Sequence, residues 1–206
     1  DEVFVSKLDA SGNFVWAKQL KGQTINSAIA GNSIVLDLSG NIYTAGGFQD
    51  TVDFDPGPGT YYLTHEDGYS YISKLDAEGN FISATQFGSP GGTIIQSMAL
   101  DASGNIYSTG NFTGNSDFDP GPGTFNLTYF GITDVFISKL DASGNFIWAK
   151  QMGGTGSHAY GYSIALDASR NIYTTGFFDN TADFDPGSGI YNLTSAGSYD
   201  FYVHKM

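Results

Sequence analysis

Short runs of aromatic and β-branched residues, each ended by a polar turn, fill most of the chain. Residues 4–8 and 14–19 are two such runs, and the residues between them read Asp-Ala-Ser-Gly-Asn. Aromatic and β-branched residues favour strands, whereas polar residues with glycine favour the turns that connect them. No segment shows a helical period. The pattern therefore predicts an all-β chain built from hairpins.

The hairpin turns share one sequence pattern, in which an aspartate is followed four residues later by an asparagine. The aspartate can accept hydrogen bonds from the backbone of its own turn, and a glycine at the fourth position supplies the left-handed residue of a bulged hairpin. Arg170 replaces that glycine in the last copy, at a cost of about 1 kcal/mol if the left-handed conformation is kept. We expect the aspartates of this pattern to form turns and not to catalyse. They are Asp9, Asp37, Asp76, Asp101, Asp141 and Asp167.

The same pattern recurs with a long period. Equivalent lysines lie 67, 65 and 66 residues apart, and equivalent asparagines lie 64 and 66 residues apart. This period is too long for helical or leucine-rich repeats and suits a unit of four short strands, A to D. The lysines are Lys7, Lys74, Lys139 and Lys205, and the asparagines are Asn41, Asn105 and Asn171.

Each predicted strand has its own place in the unit. Strand C is apolar on both faces, which suits a sheet covered on both sides, as in the blades of a β-propeller. Strand A, the innermost, is predicted at 33–36, 97–100 and 163–166, and strand B at 42–46, 106–110 and 172–176. Residues 4–8 are typical of strand C and residues 14–19 of strand D.

These units resemble the bacterial seven-bladed β-propeller repeat family. The family pattern is an Ala-Leu-Asp-x-Ser-Gly-Asn-x-Tyr-x-Thr-Gly hairpin, a variable loop, and an Asp-x-Phe-Val-Ser-Lys-Leu-Asp-x-Ser-Gly hairpin. Residues 99–110 and 134–144 carry it nearly whole, and the resemblance covers essentially the full chain. It implies an all-β fold of about three four-stranded antiparallel blades of 64–67 residues. It also implies an exported or cell-surface bacterial protein, extracellular in location.

The predicted ring is incomplete within this chain. We assign residues 1–31 to the C–D hairpin of a first blade, 32–90 to a second unit, 91–157 to a third and 158–206 to a partial last blade. Three blades are fewer than the roughly four that the smallest propellers need, and the chain begins and ends on strand C. We therefore expect either an excerpt of a longer array or a subunit completed by another copy.

A repeated Asp-Phe-Asp-Pro-Gly stretch between strands B and C is the strongest candidate for chemistry. Calcium binds carboxylate and carbonyl oxygens on loops that can curl, so calcium is the candidate cofactor. In the alternative, structural interpretation one aspartate caps the turn, the other pairs with a strand C lysine, and the phenylalanine fills the core between blades. The candidate ligands are Asp53, Asp55, Asp117, Asp119, Asp183 and Asp185.

Other recurring side chains favour structural roles. Because the lysines repeat in one phase, we expect each to meet a carboxylate of its own or a neighbouring blade. Trp16 and Trp148 share one phase of strand D, where blade-to-blade packing is the expected role and stacking on a sugar the alternative. Asn-x-Thr sequences at Asn111, Asn126 and Asn192, and an Asp-Thr-Val sequence at Thr51, are candidate glycosylation sites.

Net charge and composition exclude several classes of partner and of binding site. The net charge of −13 argues against nucleic acid and anionic membranes, which both require a basic surface. The chain has no cysteine, which excludes disulfides and thiolate metal sites. No apolar run approaches the roughly 18 residues of a membrane helix, so membrane insertion is not expected. Asp1 and Glu2 open directly into a strand, so a targeting segment is absent or already removed.

No catalytic motif is present, and the three histidines, His65, His158 and His204, fall in different repeat phases. We therefore expect a non-enzymatic structural or adhesive module whose partners are glycans or surface proteins. In one form of this hypothesis, calcium stabilises the module. One alternative is a self-assembling filament or sheet subunit, completed by strand addition between copies. The other is an enzyme with a site at the channel mouth, for which the candidates are Glu66, Asp67, His158 and Arg170.

Overall fold

The computed structural model describes residues 2–88 and 92–206, without the side chains at 67 and 68. In these residues the chain forms seventeen strands and no helix, so the all-β prediction is confirmed. The strands are β1 (Val3–Leu8), β2 (Phe14–Gly22), β3 (Ala28–Leu36), β4 (Ile42–Asp53), β5 (Tyr62–Leu75), β6 (Phe81–Phe87), β7 (Thr93–Leu100), β8 (Ile106–Phe112), β9 (Asn115–Asp117), β10 (Asn126–Thr128), β11 (Asp134–Leu140), β12 (Phe146–Met152), β13 (Ala159–Leu166), β14 (Ile172–Phe178), β15 (Thr181–Asp183), β16 (Asn192–Thr194) and β17 (Asp200–Lys205).

The strands pair as propeller blades. We name four blades: blade I (β1, β2), blade II (β3 to β6), blade III (β7, β8, β11, β12) and blade IV (β13, β14, β17). Blade III shows the complete order β12-β11-β8-β7, with antiparallel neighbours throughout. This is the predicted order D-C-B-A, and the ring is not closed by these four blades. The unit boundaries at 31, 90 and 157 remain predictions.

The hairpin turns form through the side chain of their first aspartate. Asp101 Oδ1 accepts hydrogen bonds from the backbone N of Ser103 at 2.9 Å and of Asn105 at 3.0 Å. The same two bonds recur in all six turns. Gly104 has φ of 79° and Arg170, its equivalent, has φ of 65°, so the predicted left-handed residue is confirmed even where it is not glycine.

The core lies between successive blades and not within any one of them. Tyr43 and Ile72 of blade II share a buried cluster with Met98 and Phe136 of blade III. A second cluster joins blades III and IV in the same way, and two more join blades I and II. Because both faces of a central blade are covered, its strand C is apolar on both faces, as predicted.

The A strands lie side by side on the inner side of the blades. Ser33 Oγ of β3 accepts a hydrogen bond from Met98 N of β7 at 2.9 Å. Ser97 Oγ of β7 accepts the equivalent bond from Ile164 N of β13 at 3.3 Å. A serine at one position of strand A therefore joins each blade to the next, which explains the small, mixed residues of these strands.

The connection between strands B and C contains regular structure that the sequence did not predict. In blade II, β4 and β5 continue past the sheet and pair from Asp50 with His65 to Asp53 with Tyr62. In blades III and IV the same ribbon appears as the separate pairs β9–β10 and β15–β16. Each ribbon carries the Asp-Phe-Asp-Pro-Gly stretch at its end and so positions it against the neighbouring blade.

Candidate functional site

The rim loops are the three segments 53–61, 117–125 and 183–191, which carry the candidate carboxylates. The first aspartate of each loop ties its two ends together. Asp53 Oδ1 accepts hydrogen bonds from the backbone N of Asp55 at 3.1 Å and of Tyr61 at 2.9 Å. Asp117 and Asp183 do the same in their own loops. The carboxylate therefore closes a loop that the short ribbon alone would leave open.

The second aspartate holds the Pro-Gly turn. Asp55 Oδ1 accepts from Gly57 N at 2.7 Å, and Asp119 and Asp185 repeat this bond at 2.8 Å. A Cβ added to Gly59 would lie 2.3 Å from Asp55 Oδ2, and the equivalent glycines of the other loops are equally crowded. Each loop therefore needs its aspartate and its second glycine together.

The phenylalanine between the two aspartates fills the space between blades, as the structural interpretation predicted. Phe118 is fully buried, and its ring centroid lies 5.4 Å from Phe112 and 4.9 Å from Phe136 in its own blade. It also lies 5.8 Å from Phe87 at the end of strand D in the preceding blade. Phe54 and Phe184 are buried in the equivalent clusters.

Backbone hydrogen bonds fasten each rim loop to the preceding blade. Gly88 N, at the end of strand D of blade II, donates to Asp117 O at 2.8 Å. Asp183 N donates to Gly153 O at 2.8 Å between blades III and IV. Lys21 pairs with Asp53 between blades I and II. The rim loop is thus an interblade latch, with a backbone bridge, a buried ring and two carboxylates that set its shape.

The latch geometry bears on whether calcium could bind. Calcium takes six to eight oxygen ligands, commonly several carboxylates. Within residues 2–88 and 92–206 no group of three or more His, Cys, Asp or Glu side chains is placed to hold a metal. One oxygen of each loop aspartate already accepts backbone amides, so these residues do not by themselves fit a calcium site. Calcium binding remains a prediction that a titration can test.

The repeated lysines meet the hairpin turn and not the rim loop. Lys74 Nζ lies 3.8 Å from Asp37 Oδ2 and 4.7 Å from the ring centroid of Tyr43. Lys139 and Lys205 lie over the equivalent tyrosines. Lys74 faces Tyr43 because the two residues are opposite each other in the B–C register. The part of the structural interpretation that paired a strand C lysine with a rim-loop aspartate is therefore wrong.

The turn aspartate beside Lys74 is held in its charged form. Burial opposes ionisation of Asp37, but hydrogen bonds from Asn41 and the charge of Lys74 outweigh it, so the pKa of Asp37 lies below its usual value. Asp101 shows the same balance with Asn105 and Lys139. These pairs repeat in successive blades, which marks them as parts of the scaffold.

The tryptophans pack against the clusters that join neighbouring blades, as predicted. Trp16 is half-buried beside the cluster of Val5, Ile42 and Leu75 that joins blades I and II. Trp148 is half-buried, with its ring centroid 6.3 Å from that of Tyr107. These contacts already cover part of each tryptophan ring, and a sugar would need the same ring faces for stacking.

The residues suggested for an enzyme site do not come together. His158 precedes β13 and Arg170 follows it, so the strand separates them by about 25 Å at roughly 3.3 Å per residue. His158 Nδ1 instead lies 2.8 Å from Asp179 Oδ2, and Asp179 also accepts from His158 N. Glu66 lies on β5 in blade II, and the side chain of Asp67 is outside the described residues. The His158–Asp179 pair was not predicted, because the two residues are distant in sequence.

Asp134 is a buried carboxyl that the site prediction also missed. Burial raises the pKa of Asp134 to about 6, against hydrogen bonds from the backbone N of Phe130 and Gly131. It lies at the start of β11, where it closes the loop that leads into strand C. Asp134 is the first aspartate of the family's strand C hairpin pattern, and that position was the available signal. A carboxyl fixed there is suited to hold the loop that precedes the strand.

The candidate glycosylation residues differ in solvent exposure. Asn126 and Asn192 are exposed on β10 and β16, at equivalent places in the outer ribbons. Asn111 is buried on β8, and Thr51 is half-buried with its hydroxyl 3.1 Å from that of Thr64. An attached glycan would be accommodated most easily on the two ribbon asparagines.

Comparison with a known protein family supports the repeat assignment. Residues 84–119 and 147–176 match the family described as Beta-propeller repeat. The chain is 25% identical over 219 residues to an uncharacterized WD repeat-containing protein of Acanthamoeba polyphaga mimivirus, and the match spans 96% of this chain but 15% of that protein. A protein of unknown function from Bacteroides caccae has a crystal structure that aligns over 90% of this chain and 66% of its own length, with 10% identity and a TM-score of 0.34. None of the described segments is a helix long and apolar enough to cross a membrane.

Proposed function

Because the chain carries β-propeller repeats, we propose that it is a non-enzymatic structural module of an exported or cell-surface protein. In this proposal the blades form a rigid acidic body, and the exposed tips of the rim loops are displayed along one side. The partners are surface glycans or surface proteins. The location rests on the family resemblance, and the display role rests on the loop geometry.

The main support for a structural role is that the three rim loops use their carboxylates in the same way. In each loop the first aspartate accepts two backbone amides and the second accepts one. A catalytic site needs groups that differ from those around them, so that one acts as acid and another as base. Repetition of one bonding pattern in three successive blades favours a mechanical role for these residues.

The loop tips supply the surface for display. Residues 57–60, 121–124 and 187–190 are exposed beyond the carboxylates that shape them. The third tip differs from the others because Ile190 stands where the first two loops have Thr60 and Thr124, and its side chain is exposed. An adhesive contact that discriminates between blades would use this position.

A binding screen tests the display role. The purified chain would be applied to a glycan array and to a panel of extracellular surface proteins, beside an Ile190→Thr variant that restores the tip of the other loops. The proposal expects a ligand whose binding is weakened in the variant, with Ile25→Thr on an unrelated exposed loop as the matched control. Binding that no loop substitution changes would contradict display by the rim loops.

An activity screen tests the non-enzymatic claim. Hydrolysis of model glycosides, esters and peptides would be measured with the wild type and with a His158→Gln variant. The proposal expects no turnover above background for either protein. Turnover that follows the wild-type chain through purification and is lost in the variant would overturn the proposal in favour of an enzyme.

Calcium stabilisation is a separate prediction, which the rim-loop carboxylates do not by themselves support. Thermal melting of the wild type with increasing calcium, and with magnesium as a control, would show an upward shift if the rim loops bind the ion. An Asp119→Asn variant would lose that shift while it keeps the acceptor for the backbone N of Gly121. Unchanged melting at every calcium concentration would remove calcium from the account.

A further inference from the structure

One position of strand D carries a tryptophan in blades I and III and a serine in blade II. Trp16, Ser83 and Trp148 each lie opposite the repeated lysine of strand C in their own blade. Trp16 packs beside Ile42 and Leu75 of the next blade. Trp148 packs in the same way against the cluster that joins blades III and IV. Blade II therefore lacks the ring that covers the outer part of the interface in blades I and III.

A second long side chain is missing from blade II two residues further along the same strand. Thr85 stands where blade I has Lys18 and blade III has Lys150. Residues two apart on a strand point to the same face of the sheet. Ser83 and Thr85 therefore both face blade III, and two short side chains replace two long ones at this interface.

The C–D turn of the following blade shows the effect of these replacements. A Cβ added to Gly79, in the turn that faces blade I, would lie 3.2 Å from the ring of Trp16 and 2.9 Å from the side chain of Lys18. A Cβ added to Gly144, at the same place in the turn that faces blade II, would meet no atom within 4 Å beyond its chain neighbours. The space that Trp16 and Lys18 fill between blades I and II is therefore open between blades II and III.

The open space is a pocket of about 320 Å³. This volume lies at the lower end of the range of roughly 300–1,000 Å³ that is typical of small-molecule sites. Its floor is apolar, because Ile72, Ile106 and Leu140 belong to the buried cluster between blades II and III. Ser83 and Ser143 add hydroxyl groups to its walls. Both walls are strands and turns of the two inner blades, so neither end of the chain takes part.

The charges around the pocket favour a neutral ligand. Lys74 lines the pocket, but its Nζ already lies 3.8 Å from Asp37 Oδ2 and 4.7 Å from the ring centroid of Tyr43. The net charge of −13 on the whole chain disfavours an anion. A ring placed over Ser83 would lie beside Lys74, because the two residues are opposite each other in the strand register. An ammonium group attracts the face of an aromatic ring, so the lysine favours an aromatic ligand over an aliphatic one.

We propose that the pocket between blades II and III binds a small neutral ligand that carries a planar aromatic ring of the size of an indole. The choice of ring follows from the chain itself, because Trp16 places an indole in the equivalent space between blades I and II. The ligand would complete the interface where Ser83 leaves it open. The lining comes from strands and a C–D turn and not from the rim loops, so the site is independent of display by the loop tips.

An NMR titration of the isotope-labelled 206-residue chain with indole tests the proposal. The backbone amide signals of residues 82–85 and 141–144 should shift and saturate as one site. Ser83→Trp should weaken indole binding at least about tenfold, because the new side chain occupies the pocket. Ser169→Trp, on an exposed turn of blade IV, is the matched control and should bind indole like the wild type.

The converse variant should create a site. Trp16→Ser combined with Lys18→Thr copies blade II at both positions and opens the space beside Gly79. This variant should bind two indole molecules, and the second should shift the amide signals of residues 76–80.

Three outcomes would overturn the proposal. The wild type could show no saturable shift at any indole concentration that dissolves, or shifts only on the exposed faces of blades I and IV. A folded Ser83→Trp variant could bind indole as well as the wild type. The combined variant at Trp16 and Lys18 could gain no second site although circular dichroism and melting show it folded. Ser83→Phe repeats the blocking test if Ser83→Trp is unfolded.

Discussion

Replacement of Phe118 by alanine should destabilise the fold far more than replacement of Phe125, which lies in the same rim loop. The ring is fully buried and meets Phe112, Phe136 and Phe87, the last of them in the preceding blade. Truncation of a buried phenylalanine to alanine costs about 3 to 5 kcal/mol, since the lost transfer energy adds to the cavity left behind. We expect a loss within that range.

Phe125→Ala in the same loop is the matched control. Its side chain is 38% exposed and touches Phe146 at 4.8 Å between ring centroids, so its removal should cost about 1 kcal/mol. Urea unfolding followed by the fluorescence of the two tryptophans measures both losses. Equal losses for the two variants, or a loss below about 1 kcal/mol for Phe118→Ala, would refute burial of this ring as the anchor of the latch.

Three other residues should respond to substitution: Arg170 with its left-handed backbone, the rim-loop aspartate Asp117 and the buried Asp134. Arg170→Gly should raise the free energy of unfolding by about 1 kcal/mol, because φ at this residue is 65°; an unchanged melting temperature would count against strain there. Asp117→Ala should lower the free energy of unfolding by about 2 kcal/mol, because two backbone amides lose their acceptor. Asp117→Asn should recover most of this loss in the same urea assay. Equal losses for the two variants would contradict the bonding role. Since the folded-state pKa of Asp134 is raised to about 6, its contribution to stability is full below about pH 4 and is lost as pH rises through 6. Asp134→Asn should therefore flatten the dependence of melting temperature on pH between 4 and 6, and parallel curves for the two proteins would contradict this.

Local sequence predicted the parts of the fold that local chemistry determines. The hairpin turns follow from an aspartate that bonds to its own turn, and the blade order follows from strands that pair with their neighbours in sequence. The burial of Phe118 was foreseen because an aromatic residue between two turn-forming aspartates has few other places to go. The turns and the blade order need only contacts within one repeat, whereas the Phe118 ring also contacts Phe87 of the preceding blade.

The latch also depends on backbone hydrogen bonds between repeats, which the sequence pattern did not reveal. The hydrogen bond from Gly88 to Asp117 joins a strand end to a loop of the next blade, and neither residue carries a signal for the other. The ribbon strands β9 and β10 are three residues long, too short for a periodic pattern. The lysine partner was mistaken because the nearest carboxylate is fixed by the B–C register, in which Lys74 lies opposite Tyr43.

Each rim loop binds its own blade to the one before it. A double-mutant cycle between Phe87 and Phe118 measures that link directly, because the two rings belong to neighbouring blades with centroids 5.8 Å apart. Unfolding of Phe87→Ala, Phe118→Ala and the double variant should give a coupling energy of about 1 kcal/mol, as for other aromatic pairs in contact. Additive losses, with a coupling of less than about 0.3 kcal/mol, would contradict the latch.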